Sequence, residues 1–434
     1  MRAAGRIVLI PLLFTVSACG WRMMPPPYLY SQGCREVFRD LPAALQVTQL
    51  DVLYATDRKP DPGEDGDLRY GYERSRSLAF GRATVAVAPS LEWPDLVAYS
   101  NRERDSLSGP RLSVSSVEEI ARFPRTPYLY RWDGAEAVVG PETAEVRARS
   151  ASATRRALLE YLGRTPRKEV FLFVHGINRS FDHAVLAGAE SWHFLGREGV
   201  PIIYTWPARV RFAGLSYGYD RESGEFTIYH LKQVLEELAA IPEIESINIL
   251  AHSRGADVVL SALRELFIHR RAMGPEHVEA LRIGKVALLA ADLDLEVASQ
   301  RVVAEAMGPV AERITAYVYE SDTALSAAGT IFGSRSRVGN LQPRELDEQE
   351  RVSFAGMGNV DFVVYKGTKG GSFGHFYFRD NPAVSSDVLL WMRYGLLPGA
   401  ENGRPLEPAE ERFWTLSDDY LEEPSSHRGT PACN

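Results

Sequence analysis

The sequence predicts an α/β fold: a mostly parallel eight-stranded sheet with helices on both faces. Three observations predict it. Eight short runs rich in branched and aromatic residues end in turn or site residues. Helical patterns separate many of these runs, the alternation that a parallel sheet covered on both faces requires. The run over 246–251 stops at a serine flanked by small residues, and a helical pattern begins there. In chain order the predicted strands are Leu50 to Thr56, Arg82 to Ala88, Glu169 to Val174, Val200 to Trp206, Ser246 to Ala251, Lys285 to Ala290, Ile314 to Tyr319 and Val360 to Tyr365. A helical pattern over 152–162 precedes the third, 184–195 the fourth and 229–240 the fifth, and 256–270 follows the fifth. The stretches 92–136 and 335–351 fit this rhythm poorly and read as excursions over the site.

The 434 residues are 45% hydrophobic and 24% charged, ample for a large core. A formal charge of -8 argues against a general nucleic-acid binder, which needs a basic surface. Arg2 and Arg6 precede an apolar run from Ile7 to Val16, too short to span a bilayer and charged as a signal peptide is. It ends in Val16-Ser17-Ala18-Cys19, which resembles a bacterial lipobox; an ordinary signal peptide cut after Ala18 and an uncleaved anchor are the alternatives. By resemblance to bacterial sorting rules, Gly20 after the cysteine fits an outer-membrane destination facing the periplasm. Lipidation of Cys19 would leave Cys34 and Cys433, which an oxidising periplasm permits either to pair or to stay as separate thiols. The expected organisation is a signal peptide over 1–18, a lipidated amino terminus and extended tether over 19–49, the main domain over 50–395 and a carboxy-terminal extension over 396–434.

Ala251-His252-Ser253-Arg254-Gly255 reads as a nucleophile elbow, a cramped turn that lifts a serine hydroxyl off the end of a buried strand and tolerates only small flanks. Falling after the fifth strand, Ser253 stands where the α/β-hydrolase fold carries its nucleophile, and that fold places the acid after the sixth or seventh strand and the histidine after the eighth. A serine hydroxyl is a weak nucleophile until a base accepts its proton. Of the nine histidines, only His375 and His427 lie beyond the eighth run. His375 sits in a glycine-rich loop anchored by aromatics, whereas His427 sits in a tail of Pro, Ser and Gly, a poor platform for a base. The acid that fixes the imidazole tautomer is Asp322, after the seventh run, with Asp292, after the sixth, as the alternative. Either aspartate also has a plainer reading as a helix cap. His175-Gly176-Ile177-Asn178, after the third run, reads as the oxyanion loop, so that the amides of Ile177 and Arg254 supply the two donors and His175 is structural. No metal-binding spacing and no phosphate loop is found, and the chemistry needs no cofactor.

With these motifs in place, the chain resembles a bacterial α/β-hydrolase family of unknown function. The resemblance is carried by Tyr54-Ala55-Thr56-Asp57-Arg58, Val174-His175-Gly176-Ile177-Asn178, Thr205-Trp206-Pro207, the Ser253 block, Ser321-Asp322-Thr323-Ala324-Leu325 and Gly374-His375-Phe376-Tyr377-Phe378. It implies an α/β-hydrolase fold and a Ser-His-Asp triad over residues 50 to 395, without a substrate. Members commonly have Met where this chain has Arg254, a cation that would either favour an anionic substrate group or pair with a local carboxylate. The expectation is a lipid-anchored serine hydrolase acting on a small-molecule or lipid-like acyl substrate, carboxylic esters first, with peptidase, thioesterase and acyltransferase chemistry using the same machinery. The contrasting expectation is a non-catalytic envelope binding or scaffold protein. Oligomeric state is not readable from the sequence.

Overall fold

A computed structural model describes residues 20–421 apart from 32–35, 64–65, 103–104, 106, 135, 212, 335, 369 and 411. Cys19, Cys34, Cys433 and His427, with the predicted signal peptide, lie outside the described residues.

The strands are β1 (Leu50–Pro60), β2 (Tyr70–Ala88), β3 (Arg111–Arg122), a small hairpin of β4 (Tyr130–Asp133) and β5 (Glu136–Val139), β6 (Glu169–Val174), β7 (Val200–Thr205), β8 (Ser246–His252), β9 (Ile283–Leu289), β10 (Arg313–Tyr319), β11 (Val360–Tyr365), β12 (Glu407–Glu410) and β13 (Phe413–Leu416). All but the hairpin join one eleven-stranded sheet, in the order β12-β13-β11-β10-β9-β8-β6-β7-β1-β2-β3. Eight neighbours from β13 to β1 run parallel. The antiparallel strands β2, β3 and β12 complete the two edges.

Alternate side chains divide two cores. On β6, Val170, Leu172 and Val174 enter one, with Leu158, Leu235 and Leu263 from the helices Pro141–Arg164, Ala213–Ala239 and Arg254–Arg271. Phe171 and Phe173 enter the other, with Trp192 and Trp391 from the helices Phe181–Phe194 and Pro382–Met392. Both faces of the strands are therefore apolar, which is why they read as near-continuous hydrophobic runs. Each large apolar side chain so buried contributes about 1.5–3 kcal/mol. Among the described residues, no helix is long and apolar enough to cross a membrane.

Four expectations are corrected. All eight predicted strands lie in the sheet, but it has eleven; Arg82 to Ala88 is only the second half of the long β2, whose first half carries exposed charge. The stretch 92–136 contains β3, at the edge five strands from β8, and so does not roof the serine. Residues 21–30 are not a free tether. Met23 and Leu29 are fully buried; the Met24 amide donates to Glu190 Oε2 (3.1 Å), and the Tyr30 hydroxyl donates to the Phe194 carbonyl (2.6 Å). The proline run suggested extension, but the apolar residues around it outweigh that signal. Beyond residue 395, β12 and β13 extend the same sheet, and Arg404 makes a bidentate pair with Asp387 (2.8 and 2.7 Å), both completely buried.

Candidate active site

Every residue singled out for chemistry follows the carboxyl end of a parallel strand: 175–178 after β6, Ser253 after β8, Asp292 after β9, Asp322 after β10 and His375 after β11. These five strands are contiguous in the sheet, so residues scattered over 200 positions share one rim.

Ser253 has φ 54° and ψ -126°, a conformation that costs a non-glycine residue about 1–3 kcal/mol. Its surroundings hold it there. The Ser253 amide donates to the Leu289 carbonyl (2.9 Å), and its own carbonyl accepts the amides of Asp292 (3.1 Å) and Ala256 (3.0 Å). The small flank is a packing requirement: a Cβ on Gly255 would stand 2.5 Å from the His175 oxygen and 2.7 Å from the Val174 oxygen. A Cβ on Gly176 would stand 2.6 Å from Ser253 Cβ and 3.1 Å from its Oγ, so the loop after β6 lies directly against the serine.

His375 Nδ1 donates to Asp322 Oδ2 at 2.7 Å, with Asp322 completely buried and His375 8% exposed. Asp322 Oδ1 accepts the Leu325 amide (3.0 Å) at the start of the helix Thr323–Phe332, so the capping role and the imidazole contact are filled by different oxygens of one side chain. The alternative acid is engaged elsewhere: Asp292 Oδ2 accepts from the Tyr217 hydroxyl (2.5 Å), and its Oδ1 lies 3.6 Å from Arg337. Next to Ser253, His252 donates from Nε2 to the His375 carbonyl (3.3 Å), and its ring centroid is 4.9 Å from the His375 ring. The Ser253 hydroxyl itself makes no hydrogen bond to the His375 ring among the described residues. Such contacts are often long until substrate binds.

Among the described residues, the amides of Ile177 and Arg254 beside this serine have no protein acceptor. The next amide, that of Asn178, is taken by Asp220 Oδ2 (2.8 Å), whose other oxygen accepts the Arg209 amide (2.8 Å). Burial pushes the Asp220 carboxyl up to about 6 against the lowering effect of these two bonds. His175 donates from Nδ1 to the Gly176 carbonyl (2.7 Å), accepts the Trp206 amide at Nε2 (3.0 Å) and stacks on the Trp206 ring at 5.0 Å. Burial drives its basicity far below that of a free imidazole, so it is a neutral brace for the loop. Arg254 pairs with Asp257 (2.7 Å) and faces Glu225 (3.6 Å), which leaves its charge locally neutralised.

Sequence reasoning missed Arg58 and Asp220. Arg58, 1% exposed, donates to Thr205 Oγ1 (2.8 Å) and to the carbonyls of Gly71 (3.0 Å), Ala208 (3.1 Å) and Arg179 (2.8 Å), tying β1 to the loops beside the serine. Burial brings its pKa down to about 10, with Asp57 opposing. Asp57 in turn accepts from Thr227 (2.7 Å) and His230 (2.9 Å). The Ala-Thr-Asp-Arg block was the available signal for Arg58. Asp220 lies inside a helix and carried none.

A family model described as "Alpha/beta hydrolase of unknown function (DUF900)" matches residues 150–393. Among solved structures, a lipase-esterase related protein from Clostridium acetobutylicum ATCC 824 is similar at 12% identity over 52% of this chain and 95% of its own, with a TM-score of 0.27. A serine hydrolase from the polyaromatic hydrocarbon-degrading bacterium Cycloclasticus zankles is similar at 12% identity over 61% of this chain and 89% of its own, with a TM-score of 0.20. No curated protein matches.

Proposed function

Because the chain belongs to the alpha/beta hydrolase family of unknown function, and because its rim carries a carboxylate-bound imidazole beside a strained serine, we propose that it is a serine hydrolase of carboxylic esters. The observation that carries this reading is the Asp322–His375 contact at 2.7 Å on the rim where Ser253 stands. In the proposed reaction His375 Nε2 takes the Ser253 proton as Oγ attacks the ester carbonyl carbon. The amides of Ile177 and Arg254 receive the oxyanion. His375 then passes the proton to the departing alkoxide, leaving an acyl-enzyme on Ser253, and a water deprotonated by the same imidazole hydrolyses it. Asp322 holds the tautomer with Nε2 bare and stabilises the imidazolium.

The lipid anchor at Cys19, with residence in the bacterial envelope on the periplasmic side of the outer membrane, is part of this proposal. It rests on the basic start, the apolar run and the lipobox-like tetrapeptide. A non-catalytic scaffold on the same fold has one observation in its favour, the missing hydrogen bond between Ser253 and His375. A fluorophosphonate probe separates the two readings: wild-type protein is labelled and Ser253→Ala is not. Equal labelling of both, or of neither, removes the enzyme reading. Metabolic labelling with a fatty acid that is lost in Cys19→Ala tests the anchor separately.

A further inference from the structure

Arg179 lies one residue before the N-cap Ser180 of the helix Phe181–Phe194, at the positive end of the helix dipole, where a cation is disfavoured. Its half-buried guanidinium stacks 4.5 Å over the Phe376 ring, next to His375. An aromatic face attracts a cation but is no strong hydrogen-bond acceptor. Among the described residues, this guanidinium has no ion-pair partner and no hydrogen-bond acceptor. The carboxylates nearby are spent on Arg379, which pairs with both Glu190 (2.6 Å) and Asp380 (2.8 Å). Burial, with repulsion from Arg379, brings the Arg179 pKa down to about 10 against the attraction of Asp380, and the group stays charged at neutral pH. The backbone oxygen of Arg179 has its own structural use, accepting from Arg58 (2.8 Å).

The position bears on catalysis. A narrow cavity lined by His175, Arg179, His252, Phe376, Glu190 and Arg379 runs beside the serine loop. Burial is the main cause of the low basicity of His175 and His252, the residues that precede Gly176 and Ser253, and the Arg179 charge adds to it in both rings. A half-buried cation whose attracting carboxylate, Asp380, is already paired with Arg379 is incompletely compensated, and an anion on the substrate would complete it. Arg254, the cation that drew attention in the sequence, already has its carboxylates.

We infer that Arg179 is the substrate-anchoring residue of this site, binding a carboxylate or phosphate oxyanion borne by the ester, and that anionic esters are therefore the substrate class. The inference rests on the serine-hydrolase reading and deepens it. The test compares inactivation by two fluorophosphonates of equal chain length, one ending in a carboxylate and one in a methyl group. Wild-type protein reacts faster with the carboxylate-ended probe. Arg179→Gln lowers the ratio of the two rate constants about ten- to a hundredfold, the loss of one charge-assisted hydrogen bond, and Arg179→Lys retains part of the preference. A ratio near one in wild type, or one unchanged in Arg179→Gln, overturns the inference while leaving the hydrolase reading intact. Failure of both probes to label sinks the hydrolase reading instead. Should Arg179→Gln not fold, added NaCl decides on wild type alone: it slows the carboxylate-ended probe selectively, and equal salt responses overturn the inference.

Discussion

His375 and Asp322 meet through Nδ1 and Oδ2 at 2.7 Å while the second oxygen of Asp322 caps a helix at the Leu325 amide, so one buried side chain has separable structural and chemical duties. Asn is as good an N-cap as Asp. Asp322→Asn is therefore expected to unfold within about 1 kcal/mol of wild type in urea. It would also stabilise the wrong imidazole tautomer, and esterase kcat should fall on the order of 10⁴-fold. Activity within tenfold of wild type would remove Asp322 from the triad.

The two glycines around the serine divide in the same way. Gly255→Ala would drive a methyl group into the backbone oxygens of His175 and Val174, which cannot rotate aside, and is expected to cost about 1–3 kcal/mol of stability by overpacking. Gly176→Ala would press on Ser253 Cβ and Oγ, and a displacement of about 1 Å there should slow fluorophosphonate labelling about 100-fold. Urea unfolding and labelling rates read the two effects. Wild-type labelling in Gly176→Ala would mean that the loop after β6 does not set the position of the hydroxyl.

The parallel centre of the sheet was legible because β6 to β11 bury both faces, and the elbow because a serine between small residues ends one of those runs. Chain order then narrowed the acid to two aspartates, but which of them reaches His375 depends on loop paths that no local pattern encodes. The edge strands were illegible for the opposite reason. β3 and the first half of β2 are mostly polar or charged with irregular burial, and β12 is exposed throughout, so neither period nor composition marks them. Residues 21–30 misled because their burial comes from docking on two helices distant in sequence.

Arg58 carries a stability prediction that its sequence position alone would not suggest. Its four donors serve three backbone carbonyls and Thr205, so Arg58→Met would leave buried acceptors unsatisfied and Asp57 without its neighbouring cation. A loss of about 3–5 kcal/mol is expected, the range for removing one partner from a buried charged network. Denaturant midpoints measure it. A loss below about 1 kcal/mol would show that these contacts are replaced by water.

His252 makes the pH dependence of folding specific. Burial, then the charges of His375 and Arg179, hold its folded-state pKa well below 6.5, the value expected in the unfolded chain. Below about pH 6.5 the unfolded state takes up a proton that the native ring refuses, so the stability present above that pH is lost as pH falls, by up to about 1.4 kcal/mol per unit. Asp220 acts with the opposite sign: its pKa is raised to about 6, and its contribution is present at low pH and lost as pH rises through that value. The wild-type slope is thus a sum, and the difference from His252→Gln isolates the ring. Glutamine keeps an N–H donor for the His375 carbonyl but has no proton to gain. Between pH 6.5 and 5.5, wild-type protein should lose about 1 kcal/mol more than the variant in urea titrations, and parallel losses would mean that His252 is protonated in the native state.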